Sequence, residues 1–263
     1  MKTTKIINIT FPLFLSLILS MNLSVYASSE SPDSEGGGNV SKLVGEEITF
    51  GRFEQDNNLE NGVEDIEWIV LEEKEDYNIA LSKYCLECMQ YSSRDDVFDE
   101  EGNYRDVTYE NSLIREWLNG EFLKQAFSSN EREKLLTTDT GDAVMLLGLR
   151  TIQELYPEYE MQIMELSRND DGTGLEIMSS VESEFEPLRA SFTPYARQQA
   201  IDIEAYTDYS EMELEDGDST AWYWIGDNGA MKAHKLVVLS KGNMWESPAY
   251  AKNGVRPVIL IKK

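Results

Sequence analysis

The sequence predicts an α+β fold, in which the N- and C-terminal strands of the folded part are adjacent in one mainly antiparallel sheet and short helices lie between them. Two observations predict it. Apolar and β-branched runs of strand length, separated by turn residues, occur early in the chain and again towards its end. The middle of the chain carries apolar residues at helical spacing instead.

The opening strands are short and separated by turn residues. Residues 47–51 form a strand pattern closed by a glycine, and residues 66–71 (IEWIVL) read as a buried strand. Residues 77–82 (YNIALS) predict a further strand, and residues 74–76 (KED) predict the hairpin turn before it. The fold therefore begins with antiparallel structure.

Helical segments follow in the middle of the chain. An apolar stripe at helical spacing predicts the first helix and comprises Leu113, Ile114, Trp117 and Leu118. Asn111 or Ser112 can cap its start, and Asn119-Gly120 predicts its end. A second short helix is expected around residues 122–127, and Ser128-Ser129 can cap a third over residues 130–135.

The closing segments return to strand patterns. Residues 221–225 (AWYWI), 235–239 (KLVVL) and 254–261 (GVRPVILI) each predict a strand. Pro257 inside the last of them predicts an edge position or a bulge, because proline cannot donate to a sheet ladder.

The first 27 residues predict a secretory signal peptide. Lys2 and Lys5 precede an apolar run over residues 6–23, and small residues lead to a cleavage site after Ala27. The alternative is an uncleaved membrane anchor. No cysteine lies near Ala27, which argues against a lipid-modified lipoprotein. We expect a secreted or cell-envelope protein with no membrane insertion after cleavage.

The mature chain is expected to contain a linker and one domain. Residues 28–42 are rich in serine, glycine and acidic residues and predict a flexible spacer. Residues 43–263 are long enough for one well-packed domain and short for two. Residues 158–187 are acidic and predict a surface insertion within it.

The charge of the chain excludes several partners. The formal net charge is −26, and losing the two lysines of the leader would make it −28. Nucleic acid and anionic lipid surfaces require basic residues, so neither is expected as a partner. In so acidic a chain, Arg115 and Arg256 are expected to pair with carboxylates.

Calcium is the one cofactor that the acidic loops suggest. Oxygen ligands on flexible loops suit calcium, and the candidates are Asp170, Asp171, Asp216 and Asp218. Neither loop has EF-hand spacing, and solvated acidic loops are the alternative. No other cofactor is expected.

Candidates for catalysis are few. Cys85 and Cys88, the only cysteines, could form a redox pair, form a local disulfide or remain two thiols. His234 is the only histidine, and no nucleophile motif accompanies it. We therefore predict no catalytic residue and expect that the protein is not an enzyme.

Aromatic residues near the end of the chain are the candidates for ligand binding. Trp222 and Trp224 share one face of a predicted strand, and Trp245 and Tyr250 are expected on the loop after it. If exposed, they could stack on a sugar ring or contact a peptide. Packing in the core is the alternative for all four.

Short motifs spread in order from about residue 44 to the end carry a family resemblance. They comprise residues 48–56 (ITFGRFEQD), 66–71 (IEWIVL), 81–84 (LSKY), 107–110 (VTYE), 113–119 (LIREWLN), Phe122, 126–127 (AF), 193–196 (TPYA), 222–225 (WYWI) and 254–257 (GVRP). Together they resemble domain of unknown function 6273, a family of bacterial secreted and surface proteins. The resemblance implies a C-type-lectin-like fold, as in the formylglycine-generating enzymes and the retroelement-diversified proteins.

The chain departs from that pattern at several points. Gly226-Asp227 stand where an arginine often follows the aromatic strand, and the acidic residues 158–187 look inserted. The calcium and sugar motifs of lectins are missing, since Leu188 follows Glu186-Pro187. The catalytic cysteine pair of the formylglycine-generating enzymes has no counterpart in the C-terminal half.

The sequence thus predicts a non-enzymatic binding domain for an extracellular glycan, peptide or protein. An extracellular enzyme and a structural envelope module without a ligand are the alternatives.

Overall fold

A computed structural model describes residues 45–156, 166–168, 175–177, 185–201, 221–229 and 232–263. All of them belong to one compact unit, Val40–Lys263. The predicted leader (1–27), the linker (28–42) and most of the predicted acidic insertion (158–187) lie outside the described residues. These three assignments therefore stay predictions.

Most of the regular structure is β-strand. In chain order the strands are β1 (Glu47–Phe53), β2 (Glu64–Glu73), β3 (Tyr77–Ser82), β4 (Glu87–Gln90), β5 (Val144–Leu146), β6 (Leu166–Arg168), β7 (Leu175–Ile177), β8 (Tyr223–Asn228), β9 (His234–Val238), β10 (Met244–Pro248), β11 (Lys252–Val255) and β12 (Pro257–Lys262).

The helices are short. They are α1 (Arg94–Val97), α2 (Leu113–Trp117), a π-helix (Leu118–Phe122), α3 (Leu123–Ala126), α4 (Ser129–Arg132), α5 (Leu149–Leu155), a 3₁₀ helix (Glu186–Leu188) and α6 (Pro194–Ile201). Among the residues that the structure describes, no helix combines the length and the apolar character needed to cross a bilayer. Mainly antiparallel strands with a few short helices confirm the α+β class.

Strands from both ends of the fold form the first sheet, in the order β1-β2-β3-β12-β5. All of its pairs are antiparallel. The predicted turn between β2 and β3 is present, and the amide of Lys74 donates to the carbonyl of Tyr77 at 2.8 Å. However, β12 lies beside β3 and not beside β1. The successive pairing of β1, β2 and β3 leaves the outer edges of β1 and β3 open, and the closing strand pairs with β3.

The other closing strands form a second sheet, in the order β10-β9-β8-β11-β4. Its pairs are antiparallel except for β8 and β11, which run parallel. The sequence patterns predicted β8, β9 and the segment that contains β11, but they predicted neither β4 and β10 nor the separation of this sheet from the first. A small antiparallel pair, β6 and β7, is also described.

The chain crosses from the second sheet to the first at Arg256. The prediction of one strand over residues 254–261, with Pro257 at an edge or a bulge, is wrong. The segment divides into β11 and β12, and β12 lies between β3 and β5 inside its sheet. Proline is tolerated there because Pro257 is the first residue of the strand.

The core has two hydrophobic clusters, and central strands contribute to both. Trp224 of β8 belongs to one cluster, while Tyr223 and Ile225 belong to the other. In β12, Ile259 and Val258 divide in the same way. Both faces of these strands are therefore removed from solvent. Burial of apolar surface in this way is the main source of stability for such a fold.

The predicted helix stop at Asn119-Gly120 is wrong. α2 begins where expected, because the Ser112 side chain accepts a hydrogen bond from the amide of Arg115. The chain then continues through the π-helix, which buries Leu118 and Phe122. Burial of these two apolar residues outweighs the helix-breaking tendency of the glycine between them.

The predicted cap at Ser128 is confirmed, although the helix is shorter than expected. The Ser128 side chain accepts from the amide of Glu131, and the Glu131 carboxylate accepts from the amide of Ser128. This reciprocal capping box starts α4, which ends at Arg132.

Candidate functional site

The aromatic strand β8 is buried on both faces. Tyr223, Trp224 and Ile225 have no exposed surface, and Trp222 is half-buried. The indole Nε1 of Trp224 donates to the carbonyl of Met89 at 2.9 Å. Trp224 therefore cannot offer a ligand-binding face, and this prediction is wrong because the first hydrophobic cluster encloses its side chain.

The other predicted aromatic residues, Trp245 and Tyr250, are half-buried. Trp245 lies in β10 and packs against the first cluster rather than lying in a loop. The ring of Tyr250 lies 5.5 Å from that of Phe98, and the guanidinium of Arg94 lies 5.5 Å from the Tyr250 ring centre. Tyr250 thus joins a small aromatic group that the sequence patterns did not associate with it.

A polar cavity of about 550 Å³ lies over α2 and the π-helix. Hydrogen-bonding side chains dominate its lining, among them Asn111, Ser112, Arg115, Asn119, Thr140 and Asp142. These residues come from the start of α2, the π-helix and the loop before β5. A volume of this size falls within the usual range for small-molecule sites.

A second cavity of about 590 Å³ adjoins the first, and Glu116 and Gly120 line both. Its lining includes the apolar side chains of Met89, Leu113 and Trp117. We refer to the two cavities together as the helical groove. The groove has one polar half and one partly apolar half, and the π-helix lies where they meet.

The polar half is held by a network around Asp142. The Arg115 Nε donates to Asp142 Oδ1 at 2.8 Å, and this carboxylate is almost fully buried. The expectation that Arg115 pairs with a carboxylate is confirmed. The same pairing raises the pKa of the Arg115 guanidinium through the hydrogen bond to Asp142. Both charges are therefore already neutralised within the protein.

Asn119 connects the π-helix to the first sheet. Its Oδ1 accepts from the amides of Ala143 at 2.8 Å and Val144 at 3.1 Å. Its Nδ2 donates to the carbonyl of Val144 at 2.9 Å. These bonds fix the π-helix against β5, so the groove has a rigid floor. The sequence carries Asn119-Gly120 within a continuing apolar helical pattern, and this pair by itself predicts a helix stop.

A buried lysine lies outside the groove, in β9. Lys235 is 1% exposed, and its Nζ donates to the carbonyl of Val107 and to Asn228 Oδ1. The ammonium lies 5.1 Å from the ring centre of Tyr91, whose hydroxyl has no partner among the described residues. Burial lowers the pKa of Lys235 to about 8, although the carboxylates of Asp106, Glu110 and Asp227 oppose the shift.

An acidic group lies where the loop after β1 meets the start of β2. Single carboxylate oxygens of Glu54, Asp56 and Glu64 lie within 4.8 Å of one another. Burial is the largest cause that raises the pKa of Glu54, followed by the charge of Glu64. The sequence-based calcium candidates Asp170, Asp171, Asp216 and Asp218 lie outside the described residues, so the predicted calcium site stays a prediction.

Cys85 and Cys88 are buried, free thiols. Burial raises the pKa of Cys85 to about 12, despite the nearby charge of Arg256, and raises the pKa of Cys88 as well. A thiolate is the reactive form of cysteine. Of the three alternatives, the structure contains two packed thiols.

We therefore expect both thiols to be unreactive in the folded protein. A thiol reagent such as dithionitrobenzoate should label neither cysteine at neutral pH and both after denaturation, because unfolding exposes the sulfur atoms and restores an ordinary pKa. Rapid labelling of the folded protein would contradict this, and so would a denatured, unreduced protein that shows no thiol.

The side chains of His234 and Arg256 are buried and contact backbone carbonyls. His234 is 8% exposed and lies within β9, where its Nδ1 contacts the carbonyl of Lys232 at 3.1 Å. The Arg256 Nε donates to the carbonyl of Ser82 at 2.9 Å, and no carboxylate among the described residues pairs with it. The expected carboxylate partner of Arg256 is thus not present in that part of the chain.

Fold and site together define an α+β protein with two five-stranded, mainly antiparallel sheets and an open, partly polar groove on its helical side. The chain belongs to the family Domain of unknown function (DUF6273), whose model matches residues 78–263. The family resemblance noted from the motifs is therefore confirmed. No curated protein and no solved structure matches the chain.

Proposed function

We propose that this chain is a secreted or cell-surface, non-enzymatic binding domain for an extracellular ligand. The single observation that carries the proposal is the helical groove, which offers both hydrogen-bonding groups and a partly apolar wall. Glycans, peptides and protein loops are the ligands that such a groove can hold. The acidic chain disfavours nucleic acid and anionic lipid as partners.

We also propose that the fold is C-type-lectin-like. Strands from both ends of the fold share the first sheet, and late strands build a second small sheet against the same core. This arrangement supports the fold that the family resemblance implies. It would place the groove on the helical side of the first sheet.

The chemistry of the groove favours a neutral glycan. Its lining carries four carboxylates and two basic groups, and Arg115 is already paired with Asp142. An anionic ligand would be repelled. Trp117 is half-buried and is held edge-on against Phe53, with ring centres 6.3 Å apart. A fixed aromatic side chain beside polar groups suits a sugar, which has both apolar C–H faces and hydroxyl groups.

The test uses the mature protein recovered from culture medium, which should begin at Ser28. Glu116 is exposed and lines both cavities. We expect Glu116→Arg to weaken binding to a neutral glycan identified on an array by at least about tenfold, equal to ~1.4 kcal/mol, because the longer side chain fills the groove. Titration calorimetry measures the change, and EDTA tests a need for calcium.

Glu133→Arg is the matched control, because Glu133 is also exposed and lines neither cavity. It makes the same change of charge and should alter affinity less than about twofold. Equal losses in both variants would show a general charge effect and contradict the groove. Protein found only in the lysate with its leader intact would contradict export.

A further inference from the structure

The buried lysine and its asparagine neighbour point to a function that ligand binding does not use. We propose that Lys235 and Asn228 form an intramolecular isopeptide bond that joins β8 to β9. The proposal is independent of the ligand that the helical groove binds. It assigns these two residues as a site of spontaneous covalent modification.

The sheet register brings the two side chains together. Asn228 and Lys235 are direct partners in the antiparallel pairing of β8 with β9. The next backbone hydrogen bond, from the Gly229 amide to the His234 carbonyl, measures 2.9 Å and holds the hairpin closed. The Lys235 Nζ is in hydrogen-bond contact with Asn228 Oδ1, so the amide carbon bonded to that oxygen is the nearest electrophile of the asparagine.

The orientation of the amine is also restricted. One N–H of Lys235 donates to the carbonyl of Val107, and the stem of the side chain is buried beside the Tyr91 ring. When the amine is neutral, the position that faces Asn228 can hold the lone pair. Holding two groups in such contact replaces a slow bimolecular encounter with a unimolecular step, worth effective concentrations of roughly 10⁵ M or more in favourable geometry.

The surroundings make the amine a nucleophile. Burial lowers the pKa of Lys235, so a useful fraction of the amine is neutral near neutral pH. Burial also raises the pKa of the Asp227 carboxyl, whose charge acts on Lys235 and whose Oδ2 accepts a hydrogen bond from the amide of Leu149. A carboxyl of raised pKa can accept a proton from one nitrogen and return it to another. The Glu246 carboxylate lies close to Gly229, the residue after Asn228. Its Oε2 is 2.8 Å from the position that a β-carbon of residue 229 would occupy.

The reaction balances without any further reactant. The Lys235 nitrogen forms a bond to the side-chain amide carbon of Asn228, and the bond from that carbon to its own nitrogen breaks. One proton passes from the amine to the departing nitrogen, which leaves as ammonia. Asn228 is exposed, so ammonia has a direct route to solvent. A primary amide is exchanged for a secondary amide, and dilution of ammonia draws the reaction forward.

Mass spectrometry of the full chain as it is produced tests the proposal. The wild-type protein should be lighter by one ammonia than the mass calculated for its sequence from the N-terminus that is found. Trypsin should fail to cleave after Lys235, and the digest should contain a branched peptide that joins residues 198–232 to residues 233–241. Lys235→Met and Asn228→Ala should each restore the mass calculated from their sequences, whereas Lys232→Met in the same hairpin should keep the loss.

Two outcomes would overturn the proposal. The first is a wild-type protein at its calculated mass. The second is a loss of ammonia that persists in Lys235→Met, because Asn228-Gly229 could instead cyclise on its own backbone. The peptide map of the wild-type protein separates these results even if a variant fails to fold, since only the cross-link between Lys235 and Asn228 yields the branched peptide.

Discussion

Replacing Trp224 with alanine should lower the free energy of unfolding by about 3–5 kcal/mol, the usual cost of removing a buried aromatic side chain. The indole has no exposed surface and lies 5.5 Å, between ring centres, from Tyr91. Alanine would leave a cavity in the first hydrophobic cluster and remove the hydrogen bond to the Met89 carbonyl. Urea unfolding followed by circular dichroism measures the difference.

Trp224→Phe is the control for that prediction. Phenylalanine keeps much of the aromatic ring but removes the Nε1 donor. It should lower the free energy of unfolding by about 1–3 kcal/mol, because the carbonyl of Met89 is left unpaired, and by less than alanine does. An alanine variant within about 1 kcal/mol of the wild type would show that Trp224 is not part of the core. In that case the sequence-based interpretation of Trp224 as a ligand-binding residue would regain support.

Replacing Gly51 with alanine should cost about 2–5 kcal/mol, because two penalties add. Gly51 lies in β1 with a φ of 74°, a left-handed conformation that costs a side chain energy. A β-carbon there would also lie 2.6 Å from the Phe127 ring and 2.7 Å from the Ala126 carbonyl oxygen. Chemical denaturation of the purified variant measures the loss.

Gly102→Ala separates the two penalties. Gly102 has a φ of 84°, but a β-carbon there would meet nothing within 4 Å. It should therefore cost only the conformational part, about 1–2 kcal/mol. If both alanine variants lost the same stability, the close packing of Phe127 and Ala126 against Gly51 would be refuted.

The proposed cross-link would also affect the free energy of unfolding that is measured for these variants. An isopeptide bond between β8 and β9 would persist in the unfolded chain and limit its freedom, as a disulfide does. Trp224 lies in β8, so its variants should be compared with a wild-type sample of the same cross-linked state. Variants at Gly51, in the other sheet, provide a comparison that does not involve the hairpin directly.

Local patterns predicted the parts of the fold that depend on neighbouring residues. The buried-strand patterns of residues 66–71 and 77–82 and the turn between them predicted the β2–β3 hairpin, because strand patterns and turn chemistry act over a few residues. Ser112 and Ser128 were predicted as helix caps, since a cap requires only the next three amides. The pairing of Arg115 with a carboxylate followed from charge balance, although its partner was not predictable.

Predictions failed where distant segments decided the outcome. Asn119-Gly120 carries a stop signal, but the Asn119 side chain binds the backbone of Ala143 and Val144 and the helix continues. The pattern of Trp222 to Trp224 could not show which faces of β8 are covered. The residues that pack against β8 in the two hydrophobic clusters come from other parts of the chain. The helical groove was missed for the same reason, since its walls come from three separate segments.

Sequence alone determined the α+β class, the family, the strongly acidic charge and the positions of β1, β2, β3, β8 and β9, because composition, periodicity and turn chemistry are local properties. Tertiary structure alone decided the division of the closing segment at Arg256, the burial of Trp224, the groove over the π-helix and the contact of Lys235 with Asn228. Each of these depends on which strands lie side by side. That choice reflects the total burial of apolar surface over the whole chain, and no short stretch of residues encodes it.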